Sequence, residues 1–183
     1  MIINLTNNTN SIDPYPWANF HRIVPDQLWK NVTEEAQHYP YFKIEKDRTS
    51  NPNRIWLNQQ SGILSGIAAD FDRLDVKREM SHLLRCDVTS ARTRVELCMD
   101  NAGSWLEEHT DDSAKLTTMQ LYLSDLGSST RFGKSPTQVS ANSAWAFNNK
   151  TQPAHSLPIL KYNRVSIIIN YVNDLWRDDS VLF

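Results

Sequence analysis

Between residues 92 and 99 the side chains alternate in character: Arg94, Glu96 and Cys98 fall on one face of an extended chain, Val95, Leu97 and Met99 on the other. That period of two marks a strand. Similar signals continue downstream. Residues 115–123 are rich in Thr, Leu and Tyr, residues 143–147 are short and aromatic, and residues 164–172 are dominated by Val and Ile. Gly127-Ser128, Gly133, Pro136 and Tyr162-Asn163 punctuate these runs. The last pair is read as a hairpin turn, because Asn tolerates a left-handed backbone.

The first half reads as helices and loops. Pro25 and Asp26 open a helix with Leu28, Val32 and Ala36 on one face, and Pro40 closes it. Asp75 can cap a second helix, with Val76, Met80, Leu83 and Leu84 at helical spacing. Residues 47–66 are polar, hold Pro52 and Trp56, and are expected to form a long ordered loop. Helices first and short strands after predict an α+β fold, with the helices packed on one face of an antiparallel sheet or barrel. No repeat, low-complexity tract or linker divides the 183 residues, a length that suits one domain with a real core.

Several classes of partner are disfavoured at once. The formal net charge is −2 and the basic residues form no run, which argues against a nucleic acid held mainly through its phosphates. Residues 1–10 have neither the basic nor the apolar region of a secretory signal, and no apolar stretch is long enough to span a membrane. A cytoplasmic protein with no membrane association is therefore expected. Cys86 and Cys98 are too few for a disulfide framework and lack metal-site spacing, so they read as two buried thiols in a reducing compartment.

The chemistry concentrates in the run from Trp105 to Asp111, Trp-Leu-Glu-Glu-His-Thr-Asp. His109 and Asp111 are two apart, so on an extended segment both point the same way and offer a divalent metal two adjacent ligands. A third must come from elsewhere. Two histidines and one carboxylate with open positions are the set expected for non-haem Fe(II) that also holds a co-substrate and oxygen. His155 stands downstream between two strand-like segments, and nine residues later comes Arg164, followed on the same face by Ser166. A guanidinium fork beside a hydroxyl suits a small carboxylate. Tyr122, sharing its face with Gln120 and Thr118, can offer another donor. Each residue also has an ordinary reading: a surface turn for His109 and Asp111, a loop histidine for His155, a salt-bridged strand end for Arg164 and Ser166, a core tyrosine for Tyr122. Glu107 and Glu108 read as a solvated pair, or as groups that orient a metal-binding histidine.

The order His109-x-Asp111, then His155, then Arg164-x-Ser166 resembles the 2-oxoglutarate/Fe(II) dioxygenases, especially their compact prolyl-hydroxylase-like branch and its small phage and bacterial members. The spacing from His155 to Arg164 and the placing of Tyr122-Leu123 match that branch, and the resemblance covers roughly residues 89–172. It implies a double-stranded β-helix (a jelly-roll of cupin type) over 89–172, supported by helices and loops over 1–88, in one oxygenase domain spanning 1–183. His109, Asp111 and His155 would then bind iron, and Arg164 with Ser166 and Tyr122 would hold the distal carboxylate of 2-oxoglutarate. The reaction implied is hydroxylation of a small molecule, amino acid or peptidyl residue by oxygen, with release of succinate and CO2. Family halogenases carry a small residue where this chain has Asp111, which favours hydroxylation over chlorination. Met99 stands where some relatives place a co-substrate tyrosine, and Asn163 replaces a common glycine.

In such a barrel the metal lies near one open end, and the loops there close over substrate. By chain position these are residues 47–66, 100–105 and 128–136, which carry Arg54, Trp56, Trp105, Arg131 and Phe132. Arg131, Arg54 and Trp105 are the candidates to contact a small substrate bearing a carboxylate. The ordinary reading of those cations is plain surface charge, with the aromatics pinning loops to the barrel. The competing function is a cupin-type metal-holding module that binds or senses without turnover. Such a module has no need of Arg164-x-Ser166.

Overall fold

The structure, a computed structural model, describes residues 2–39, 43–44, 53–125, 130–132, 135–137 and 140–176. The chain opens with strands β1 (Asn8–Ser11) and β2 (Trp17–His21), followed by helix α1 (Asp26–Gln37). Short strands β3 (Lys43–Ile44) and β4 (Asn53–Trp56) lead to helices α2 (Ile63–Asp72) and α3 (Leu74–Leu84). Next come β5 (Arg92–Asp100), β6 (Leu106–His109), β7 (Lys115–Tyr122), β8 (Arg131–Phe132) and β9 (Ser135–Pro136). The last three are β10 (Ser143–Asn148), β11 (His155–Leu157) and β12 (Arg164–Val172).

Among the described residues the strands pair antiparallel into two sheets. The larger has eight strands in the order β1-β2-β10-β7-β12-β5-β4-β3, and the smaller has four in the order β6-β11-β8-β9. With helices added on the outer side, this is an α+β jelly-roll, the fold class expected. Its two sheet faces differ sharply. Directly paired residues share a face, so the register Glu96–Ile168–Gln120–Trp145 and the register Cys98–Ser166–Tyr122–Ser143 run across one side of the large sheet. The residues between them, Leu97, Ile167, Leu121 and Ala144, run across the other. That second side joins Leu64, Ile67 and Phe71 of α2 and Met80 and Leu84 of α3 in the hydrophobic core. The polar side is thereby left facing the small sheet.

The first half departs from the helix-and-loop support expected over residues 1–88. β1 and β2 extend one edge of the large sheet, and β4 and β3 extend the other. From Asn53 onward, residues 47–66 are not a loop: they hold β4, the 3-10 turn Leu57–Gln59 and the start of α2. β4 was hidden because its inward residue Arg54 pairs across from another polar face, so no apolar run betrays it. Asp75 does not cap its helix either. α3 begins one residue earlier, and the Asp75 carboxylate accepts from Arg73 Nε at 3.0 Å and Nη2 at 2.8 Å.

Tyr162-Asn163 makes no hairpin, because β11 and β12 lie in different sheets. Instead Asn163 Oδ1 accepts from the Ala102 amide at 2.8 Å and ties two loops together. Pro25 does precede α1 at its N-cap, with Asp26 in the first turn, where a carboxylate suits the helix dipole. Pro40, Pro52, Gly127, Ser128 and Gly133 lie outside the described residues. Cys86 and Cys98 are both buried and free. No helix among the described residues is long and apolar enough to cross a membrane.

The helical layer is locked to α1 by a borrowed cap. α2 starts after Gly62, whose φ of 100° suits glycine, and the Glu35 carboxylate of α1 accepts from the Ile63 amide at 2.8 Å and the Leu64 amide at 3.2 Å. Removing this cap with Glu35→Ala should cost about 0.5–2 kcal/mol of stability. Gly62→Ala should lose more than about 1 kcal/mol, since it combines left-handed strain with a Cβ placed 2.6 Å from Glu35 Oε1. Urea midpoints of the two variants against the parent check both values.

Candidate metal centre

Pairing of β6 with β11 sets His109 directly opposite His155, with ring centroids 4.4 Å apart. Asp111, two residues past His109, leaves the strand and drops against β7. One ligand atom from each of His109, Asp111 and His155 lies within 4.8 Å of the others. The backbone fixes both imidazoles. His109 Nδ1 lies 2.9 Å from the Glu107 carbonyl and His155 Nδ1 lies 3.0 Å from the Pro153 carbonyl. A carbonyl only accepts, so each Nδ1 carries a proton, which leaves Nε2 of each ring as the nitrogen that can face a metal. Burial lowers the His155 imidazole below its usual value, against the pull of Asp111, which keeps it in the neutral, ligating form.

Asp111 is held from two sides. Lys115 Nζ donates to Oδ1 at 2.6 Å and Thr118 Oγ1 donates to Oδ2 at 2.9 Å. Burial alone would raise this carboxyl. The Lys115 ammonium and its hydrogen bond, with His155 and the Thr118 hydroxyl, outweigh burial and hold it below the usual carboxylate range. Two imidazoles presenting Nε2 and one ionised carboxylate on adjacent elements are the donor set that suits a divalent non-haem iron, so these residues fit that metal.

The group opens into a cavity of about 110 Å³ between the two sheets. Arg164 and Tyr122 line it away from the histidines. Arg164 is buried, and its Nε and Nη2 donate to Asp100 Oδ2 at 3.0 and 2.6 Å. Tyr122 is fully buried, with its hydroxyl 3.3 Å from Thr137 Oγ1. Arg54 also lines the wall. It is paired with Glu96, whose second oxygen accepts from Arg94 Nη2 at 3.1 Å. Arg94 in turn lies over the rings of Trp56 and Trp176, 4.5 and 4.8 Å from their centroids. Burial pushes the Cys98 thiol up, so amid these charges it stays neutral and unreactive. On the histidine side the wall is aromatic. Phe132 and Phe147 sit 5.3 and 5.2 Å from the His155 ring, and Trp145, which stacks on Trp17 at 4.6 Å, closes that flank.

The structure thus brings six expected residues to one cavity: His109, Asp111, His155, Arg164, Tyr122 and Arg54. Three others stand apart. Ser166 is buried behind the wall and accepts from Gln120 Nε2 at 2.9 Å, so it reaches the cavity only through Gln120. Arg131 and Trp105 are exposed and line no part of it. Arg131 alternates with Phe132 on β8, and it is Phe132 that turns inward. Glu107 and Glu108 are exposed too, and it is the Glu107 carbonyl, not a carboxylate, that orients His109. Sequence reasoning assigned no role to Glu96, Asp100, Lys115 or Thr118. The usable signal was the alternation itself, since polar residues at every second position of β5 and β7 must face something other than the core.

No known family profile matches the sequence, and no curated protein does. Solved structures do match. A Pseudomonas putida prolyl-4-hydroxylase superposes with a TM-score of 0.70 at 13% identity, over 88% of this chain and 95% of that one. A Trichoplax adhaerens prolyl hydroxylase, solved with a peptide fragment of the hypoxia inducible factor oxygen degradation domain, gives 0.70 at 12% over 89% and 86%. The non-heme alpha-ketoglutarate-dependent epimerase SnoN of nogalamycin biosynthesis gives 0.63 at 11% over 86% and 76%. The fold is therefore that of the 2-oxoglutarate/Fe(II) oxygenases.

Lys115→Met should expose how far the ammonium controls Asp111. With it gone, burial faces weaker opposition, and the carboxyl should titrate at higher pH than in the parent. Carbon-13 NMR of the Asp111 carboxyl through an acid titration measures the direction.

Proposed function

We propose that the protein is an Fe(II)- and 2-oxoglutarate-dependent oxygenase that hydroxylates a small molecule, amino acid or peptidyl residue, with release of succinate and CO2. The observation that carries this reading is the shared cavity: a His109–Asp111–His155 group at one place and a buried guanidinium with a phenol, Arg164 and Tyr122, at another. His109, Asp111 and His155 would hold the iron, which with 2-oxoglutarate and oxygen supplies the oxidising chemistry.

The remaining work falls to the chain. Asp100 grips the Nε edge of Arg164 and fixes the plane of the fork. Together with the Tyr122 hydroxyl, that fork suits the distal carboxylate of a keto diacid. Trp145 Nε1 is buried without a partner among the described residues, a donor that a bound ligand's oxygen can satisfy. Phe132, Phe147 and Trp145 exclude water from the histidine side of the cavity and offer substrate an apolar wall. Arg54, paired with Glu96, is the candidate cation left for substrate, and Arg131 and Trp105 are not retained.

The fold accommodates substrates of different size. One neighbour was solved with a peptide fragment, and SnoN was solved with nogalamycin RO. A metal-holding module without turnover has no need of a guanidinium and a phenol in the same cavity as the histidines, which favours the enzyme.

His155→Ala or Asp111→Ala should abolish Fe(II) retention and succinate release while the fold persists. Normal iron stoichiometry in both would overturn the metal assignment. Arg164→Ala removes a charged hydrogen bond worth about 1.5–3 kcal/mol, so calorimetric affinity for 2-oxoglutarate should fall roughly ten- to a hundredfold. Arg164→Lys should recover only part of it, since an ammonium cannot reproduce the fork.

A further inference from the structure

Thr118 sits where three polar side chains converge, and the number of protons available decides what it does. Its Oγ1 lies 2.9 Å from Asp111 Oδ2, 2.7 Å from Asn149 Nδ2 and 2.8 Å from Asn170 Oδ1. A threonine hydroxyl has one proton and two lone pairs. Asp111 is ionised and can only accept, and Asn149 donates through Nδ2. With Asn170 Oδ1 turned toward it, Thr118 would face two acceptors with one proton, and Asn170 Nδ2 would be left buried without a partner among the described residues.

One change removes both conflicts. The two ends of an amide are nearly isosteric, and Asn170 is fully buried on β12 with its side chain beside Thr118 of β7. With Nδ2 toward Thr118, Asn170 and Asn149 each donate to one lone pair of the hydroxyl. The single Thr118 proton then has one destination, Asp111 Oδ2. The atoms left over, Asn170 Oδ1 and Asn149 Oδ1, are carbonyl oxygens, which tolerate missing partners better than a buried N–H does.

Resting on the metal-centre reading above, we infer that Asn149, Thr118 and Asn170 form a directed hydrogen-bond relay that positions the Asp111 carboxylate for metal. Thr118 is the positioning residue, and the two asparagines deny it any other proton acceptor. None of the three belongs to the candidate ligand set. They fix which way the carboxylate faces, in the manner of the outer groups that orient metal ligands. Lys115 meanwhile holds Oδ1, so the two carboxylate oxygens are distinguished before any ligand arrives.

The test uses the full chain and Co(II), whose visible absorption reports ligand number and geometry. Wild type should bind one equivalent. Thr118→Val keeps the shape and deletes the proton, and should weaken binding about 10- to 100-fold with an altered band envelope. Thr118→Ser restores the proton and should return both toward wild type. Near-UV circular dichroism checks that each variant is folded. Equal affinity and equal spectra in Thr118→Val would overturn the relay while leaving the metal centre standing. Failure of wild type to bind cobalt would overturn the metal-centre reading and the relay with it. A neutron crystal structure of the wild type tests the direction without any variant: deuterium belongs on the Asn170 atom facing Thr118, and the Thr118 deuteron points at Asp111. The reverse arrangement overturns the proposal.

Discussion

Everything at the centre of this molecule depends on the antiparallel pairing of β5, β12 and β7. Nine residues of β5 match nine of β12 without a break in register, from Arg92–Val172 to Asp100–Arg164. Since alternate side chains of a strand point to opposite faces, this register sorts two chemistries onto two sides of one sheet. Leu97, Ile167 and Leu121 go to the helices, and Glu96, Arg164, Gln120 and Tyr122 go to the cavity. A slip of one residue in any of the three would exchange those sets, burying carboxylates in the core and turning leucines to the site. Stability and chemistry are thus specified by the same hydrogen-bond ladder.

The polar side is costly to build. Charges removed from water must be paired, and each charged side chain described on the inner face of β5 has a partner in reach: Arg94 with Glu96, Glu96 with Arg54, Asp100 with Arg164. Such pairs add little net stability compared with apolar packing. Their value lies in geometry. Asp100 fixes the Arg164 fork, and Arg94, stacked on Trp56 and Trp176, fixes Glu96 and through it Arg54. The cavity wall is a rigid lattice of mutually oriented ions, and preorganisation of that kind is what a site needs if its groups are not to reorganise when a ligand enters.

The small sheet contributes the opposite property. Its strands are two to four residues long, and its importance rests on one cross-strand pair, His109 against His155. Each imidazole is oriented by the carbonyl two residues before it, so ring direction is set by local backbone and needs no further side chain. Asp111 is the member of the group without that local support. Asp111 lies beyond the end of β6 and takes its orientation from β7, through Lys115 and Thr118. The two sheets therefore meet chemically at Asp111 as well as by packing.

The sequence by itself determined the four long strands β5, β7, β10 and β12, the α+β class and the pattern His109-x-Asp111, His155, Arg164, because period-two alternation and residue spacing are local properties that survive without a fold; it did not show β6, β8, β9 and β11, the strands of the small sheet. It could not show β1 to β4 as part of the large sheet: short strands with one polar face have no apolar run to declare them, and only pairing with β10 and β5 makes them strands. It misplaced Arg131 and Trp105, because position in a loop near the site does not say which neighbour turns inward, and Phe132 took the inward place on β8. It set Ser166 beside Arg164 by spacing, whereas the crossing of β7 put Gln120 between Ser166 and the cavity. The partners of Arg164 and Thr118 were decided by tertiary structure alone. Asp100 lies 64 residues from Arg164, and Thr118 is 52 and 31 residues from Asn170 and Asn149. Hydrogen-bond networks over such distances arise from sheet register, and register is a property of paired strands that no single strand contains.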